Sequence, residues 1–184
     1  MAGGISDKGL RLPPRIAPIQ VVLTPIWKSE EDRETVFNFA NQVNEQLCAA
    51  GIRTHIDERD GLSPGFKFND WEMRGVPLRI EVGPKDVEKD SVALARRDVL
   101  GRAGKSFVSQ DNLAATVTDM LTDIQASLLK QATEFRDANI HDPKDYNDLK
   151  EIVKDGWAFA WWDGSKECEA KVKEDTKATT RVIP

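Results

Sequence analysis

Hydrophobic and polar positions along this chain switch repeatedly between a strand period and a helix period. QVVLTPI (20–26) is a short apolar run closed off by Pro25, the pattern of a buried strand. Ser29, with Asp32 three residues later, marks a helix start of the capping-box type. Val36, Ala40, Val43 and Leu47 then recur at helical spacing, one face of a helix ending near Ala50 with Gly51 as its stop. THI (54–56) follows as a second short strand, and strand–helix–strand predicts a parallel crossover. After a polar, turn-rich stretch, Ser63-Pro64-Gly65 opens a short helix running through Trp71. LRIEV (78–82), SVALA (91–95) and KSFVS (105–109) read as three more strands, the first two separated by Gly83-Pro84 and a charged turn. From Leu113, the apolar positions Val117, Leu121, Ile124, Leu128 and Phe135 define a long amphipathic helix that must stop before Pro143.

The remaining 40 or so residues read as a small α+β satellite: a helix at 145–154, an aromatic strand WAFAWW (157–162) and a helix at 165–175. Residues 1–19, with Pro13-Pro14 inside LRLPPRIAP, read as an extended linker, since proline lacks the backbone donor and fixes φ. The predicted architecture is therefore α/β, a mixed sheet flanked by helices over 20–140, followed by the α+β satellite over 141–184.

Composition narrows the function classes. Hydrophobic residues make up 40% of the 184, enough to build a core. No apolar run approaches the roughly 20 residues of a membrane helix, and MAGGISDKG lacks a signal-peptide pattern. Cys48 and Cys168 lie too far apart to suggest a disulfide framework, which fits a reducing, cytoplasmic setting. The net charge of −5 argues against gripping nucleic acid by bulk electrostatics, DNA included. The charge is uneven, however: residues 51–110 carry eleven basic and ten acidic groups, whereas residues 111–184 carry ten and fifteen. This leaves room for a local RNA site in the middle of the chain, although charge alone does not suggest one.

Among individual residues, Arg79 stands out, because a cation inside an apolar strand needs a partner or a ligand. Glu81, two residues on and on the same strand face, is a candidate partner. Of the neighbouring aromatics, Phe66 and Phe68 could stack a base, Phe68 being equally readable as core, while Trp71 is assigned to the core. His55 reads as a core residue in a short strand and His141 as a surface loop residue; neither sits in a nucleophilic triad pattern. Arg79-Ile80-Glu81 also matches the short Arg-x-Glu core of an ATP-binding motif, but a three-residue match inside this strand carries no weight.

Three stretches are distinctive beyond their periodicity: GLRLPPRIAPIQVV (9–22), DERDGLSPGFKFNDWEMRGVPLRIEVGPKDVEK (57–89) and GSKECEAKVKEDTKATTRVIP (164–184). Together they resemble the C-terminal half of the archaeal/eukaryotic-type prolyl-tRNA synthetases, class II enzymes also found in some bacteria. The resemblance implies an α/β anticodon-binding domain followed by a small zinc-binding-like domain. It also implies that a catalytic domain using ATP and magnesium would precede residue 1, and that the full enzyme is a homodimer acting on tRNA(Pro). Proline anticodons end in two guanines. Guanine offers N–H donors that suit a carboxylate and O6/N7 acceptors that suit Arg or Lys. The resemblance places the base readers at Glu72, Arg79, Lys85, Asp86 and Lys105, with Arg97 or Arg102 as alternatives for the last cation.

The same resemblance bears on metal. Where many members carry cysteines, this chain has Asp163, Cys168 and Val182, and one thiolate cannot hold zinc. The expectation is a lost zinc site and a satellite held together by Trp157, Phe159, Trp161 and Trp162. The chain also stops at Pro184, before the family's terminal segment. The competing reading is a stand-alone accessory or interaction protein built on the same fold; a free-standing enzyme has only the Arg-x-Glu match in its favour.

Overall fold

The computed structural model describes residues 9–181, which divide into two compact units between Gln131 and Ala132. In the first unit the strands are β1 (Val21–Pro25), β2 (Thr54–Ile56), β3 (Leu78–Val82), β4 (Ser91–Arg96) and β5 (Lys105–Ser109). They form one sheet in the order β2-β1-β3-β4-β5. β1 runs parallel to β2 and β3, while β4 and β5 are antiparallel additions, so the sheet is mixed as expected.

Helix α1 (Glu30–Ala49) crosses between β1 and β2. Its capping box is the one read from Ser29 and Asp32: the Ser29 Oγ accepts from Asp32 N at 3.1 Å, and the Asp32 carboxylate accepts from Ser29 N at 3.3 Å. The predicted helical face is the buried one, with Val36, Ala40, Val43 and Leu47 fully enclosed. They join Leu23, Leu78, Ile80, Leu94 and the first turns of α4 (Leu113–Asn139) in a single core on one side of the sheet. Strand alternation sends Val22, Thr24, Arg79 and Glu81 to the other side. There α2 (Pro64–Met73) covers β1 and β3, and Trp71, Val22 and Val76 form a second, smaller apolar cluster.

Three local expectations are revised. Gly83-Pro84 does not lead into a turn but into a five-residue helix, α3 (Pro84–Glu88), with proline at its first position and the Asp86 carboxylate accepting from Gly83 N at 2.9 Å. His55 is exposed rather than core, because β2 is a three-residue edge strand whose alternation turns the imidazole outward, 5.0 Å from the Trp71 ring. Residues 9–19 are not simply extended: the backbone turns at Pro14–Ile16, and Arg53 donates to the carbonyls of Pro14 (3.0 Å) and Ala17 (2.8 Å).

The second unit contains the end of α4, β6 (Ile140–His141), α5 (Tyr146–Ile152), β7 (Trp157–Ala158) and α6 (Lys166–Thr176). The aromatic strand shrinks to Trp157–Ala158, paired in parallel with Ile140–His141. That pairing also places His141 in a strand rather than a loop, though still exposed. The aromatic run does not form the core assigned to it: Phe159 is 63% exposed and Trp161 stands fully in water, with Trp157 and Trp162 also exposed. A sheet of two two-residue strands cannot enclose four large rings, and none of the described residues of this unit is buried. Local hydrogen bonds contribute instead, including Tyr146 Oη to Asp175 at 2.8 Å and Trp162 Nε1 to the Ser165 carbonyl at 3.2 Å.

Candidate nucleic-acid interface

The open face of the first unit is organised by α2. Ser63 caps it, accepting from Phe66 N at 3.3 Å, and Pro64 pre-sets its first turn. Beyond its C-terminus Gly75 adopts φ +78°, the left-handed conformation that closes a helix, with Gly75 N on the Glu72 carbonyl and Val76 N on the Trp71 carbonyl. A buried polar knot anchors the helix. Asp57, 1% exposed, accepts from Trp71 Nε1 (2.7 Å), from Arg59 Nε (2.9 Å) and from Arg59 Nη2 (2.7 Å). Arg59 continues to Asp70 at 2.7 Å, and the Lys67 ammonium, itself buried, donates to the Asp57 carbonyl at 3.3 Å. Burial pushes the Asp57 pKa up, but hydrogen bonds from Arg59 and Trp71 outweigh it and hold the value at about 2. Burial draws the Lys67 pKa down.

So anchored, α2 sets Phe68 and Glu72, one turn apart, beside Arg79 of β3. The Arg79 guanidinium carbon lies 3.9 Å from the centre of the Phe68 ring. Its Nη1 donates to Glu72 Oε1 at 3.0 Å, and its Nε and Nη2 both donate to Glu81 Oε1 at 3.2 Å. Lys105, the first residue of β5, reaches back to Glu81 Oε2 at 2.6 Å. The partner anticipated for Arg79 is therefore present, within a longer chain, Glu72–Arg79–Glu81–Lys105, of alternating sign. Beside this chain opens a cavity of about 630 Å³ lined by Asn69, Glu72, Arg79, Arg97, Arg102 and Lys105, among others. Arg97 is buried, and burial pulls its pKa down while Glu72 pulls the other way.

Of the residues singled out in the sequence, Phe68, Glu72, Arg79 and Lys105 meet here, and both alternative cations, Arg97 and Arg102, share the cavity wall. Lys85 and Asp86 do not line it: Lys85 is exposed on α3 and Asp86 caps that helix. Phe66 is 54% exposed at the start of α2, while Trp71 is core as assigned. Sequence reading missed the Asp57–Arg59–Lys67–Asp70 knot. The available signal was Lys67, Asp70 and Trp71 at helical i, i+3 and i+4 spacing, which aligns two charges with a core tryptophan. No group of three or more potential metal-ligating side chains exists among the described residues. Asp163 does lie beside Cys168, its carboxylate accepting from Ser165 N at 2.8 Å, while Val182 falls outside the described residues. Nor is any helix among the described residues long and apolar enough to cross a membrane.

The family described as "Anticodon binding domain" matches residues 20–120, and that described as "Prolyl-tRNA synthetase, C-terminal" matches residues 146–184. The chain is 49% identical over 181 residues to the proline–tRNA ligase of Chloroflexus aurantiacus, covering 97% of this chain and 37% of that protein. It is equally identical, at 49% over 182 residues, to the chloroplastic/mitochondrial proline–tRNA ligase of Arabidopsis thaliana, covering 97% of this chain and 34% of the relative. Among solved structures, the prolyl-tRNA synthetase of Cryptosporidium parvum complexed with L-proline and AMP superposes with a TM-score of 0.84 at 32% identity, covering 96% of this chain and 37% of that one. The chain thus spans little more than a third of the length of the relatives it matches. It belongs to the anticodon-binding-domain family, in the form that the C-terminal part of prolyl-tRNA synthetases carries.

Proposed function

We propose that this protein binds the anticodon loop of tRNA(Pro) and reads its two guanines, so that the full enzyme can attach proline to the correct tRNA. The observation that carries the reading is the cavity in which Glu72, Arg79 and Lys105 converge next to the Phe68 ring. Sequence-specific RNA recognition targets splayed loop bases, which are stacked on aromatic rings and hydrogen-bonded along their edges. Glu72 supplies an acceptor for the guanine N–H donors, and Arg79 and Lys105 supply donors for O6 and N7. Lys85 and Asp86, outside the cavity, are proposed to contact the loop at its margin. Activation of proline with ATP and magnesium belongs, on this reading, to the part of the relatives that the chain does not span. The whole enzyme acts as a homodimer in the cytoplasm, and the segment itself uses no cofactor.

The test combines a protein change with an RNA change. Arg79→Ala is expected to weaken binding to tRNA(Pro) by about 1–3 kcal/mol, as is replacing one anticodon guanine with adenine. If Arg79 contacts that guanine, the two changes together cost much less than their sum, because the contact is lost only once. Full additivity with both guanines removes Arg79 from the readers.

A further inference from the structure

Building on that base-reading role, we infer that Glu81, which the cavity does not expose, is a positioning residue that aims Arg79 and Lys105 together. Sheet register aligns Arg79 on β3 with Ala95 on β4, and Ala95 with Lys105 on β5. The two cations therefore stand two strands apart, about 10 Å between backbones, with only a methyl group between them. Like charges so placed repel, and both side chains are long enough to swing outward into water. Glu81, one residue pair further along the same face, prevents this. Glu81 is 7% exposed, and each of its carboxylate oxygens takes a different cation: Oε1 accepts from Arg79 Nε and Nη2, and Oε2 accepts from Lys105 Nζ.

Both cations keep donors for a ligand. A guanidinium carries five N–H groups and an ammonium three. Arg79 commits two to Glu81 and one to Glu72, leaving one N–H on each Nη. Lys105 commits one and keeps two. Arg79 and Lys105 line the cavity, whereas Glu81 does not. Glu81 thus acts through the two cations: it fixes their separation and selects which of their donors remain free for the acceptor edge of a base. A carboxylate is required because a neutral amide cannot accept on both ends while cancelling the repulsion.

The experiment measures dissociation constants of the full 184-residue chain for two tRNA transcripts, one with both anticodon guanines and one with a guanine changed to adenine. Glu81→Gln nearly preserves shape and removes one negative charge. The expected result is about tenfold weaker binding of the guanine transcript, with binding of the altered transcript unchanged or tighter, so that discrimination collapses. The sign on the altered transcript separates the roles, since deleting a negative charge alone favours any polyanion. A variant that melts earlier yet keeps the unmutated discrimination ratio overturns the inference, because it makes Glu81 merely structural. Glu81→Asp, which keeps the charge but withdraws it by one methylene, covers the case in which the glutamine variant does not fold. It is expected to lose part of the ratio, and an undiminished ratio again overturns the inference. If the unmutated chain fails to discriminate between the transcripts, the base-reading role itself falls, and the inference with it. Discrimination by the unmutated chain that Glu81→Gln leaves intact removes only the positioning role.

Discussion

Protonating Asp57 is expected to loosen the first unit in acid by an amount the structure sets. In the folded protein its carboxyl is held at about 2, against an ordinary value of 3.8. A depressed folded pKa means that the stabilisation is complete above the unfolded value and is lost as pH falls towards the folded one. The linkage relation gives a loss of about 1 kcal/mol by pH 3 and about 2 kcal/mol by pH 2, relative to neutral pH. Other carboxylates titrate over the same range, so the informative quantity is a difference of differences. Urea unfolding, followed by tryptophan fluorescence and circular dichroism, would be compared at pH 6 and pH 3 for the unmutated protein and Asp57→Asn. At pH 6 the substitution should cost about 3 kcal/mol, because it removes the counter-charge of the buried Lys67 and leaves Arg59 with Asp70 alone. Between pH 6 and pH 3 the unmutated protein should lose about 1 kcal/mol more than the variant, so the two stabilities converge. Equal losses in the two proteins would show that the Arg59 and Trp71 hydrogen bonds do not favour the ionised form of Asp57, and the reasoning above would fail.

Two further outcomes can be checked directly. Gly75→Ala should lower stability by about 2 kcal/mol in the same unfolding assay, because an added methyl meets Leu10 Cγ at 2.8 Å and Leu12 Cγ at 2.9 Å while the backbone stays at positive φ; an unchanged midpoint would contradict the close approach. The purified protein should contain no stoichiometric zinc, since Cys168 with Asp163 leaves a single thiolate, and elemental analysis finding about one tightly held zinc per chain would refute this.

How much could be read from sequence depended on the range of the interaction. Strands β1, β3 and β4 were legible because each either alternates, as LRIEV does, or is a short apolar run bounded by turn residues. The start of α1 was legible because a capping box is a contact between residues three apart. The resemblance brought Glu72, Arg79 and Lys105 forward, and Phe68 stood out as an aromatic beside them, but their mutual pairing was not visible. Glu72 and Arg79 lie on a helix and a strand joined by a turn, and Lys105 reaches Glu81 across an intervening strand, which only the sheet register reveals. Hydrophobicity misled in WAFAWW: four large rings imply burial only if a second layer exists to receive them, and the two-residue strand pair of that unit supplies none. His55 failed for a related reason, since an edge strand has one face and one side open to water.

The alternating chain of carboxylates and cations along the cavity also bears on how recognition responds to ionic strength. A bare cluster of arginines and lysines condenses counterions, gains entropy when RNA displaces them, and weakens steeply as salt is added. Here Arg79 and Lys105 already share the charge of Glu72 and Glu81 and hold few counterions, so a base that engages their remaining donors releases few ions. Contacts to the phosphate backbone elsewhere on the surface would fade with salt, while this compensated patch would persist. On the proposed reading, rising salt lowers total affinity but sharpens the choice between the right tRNA and the wrong one.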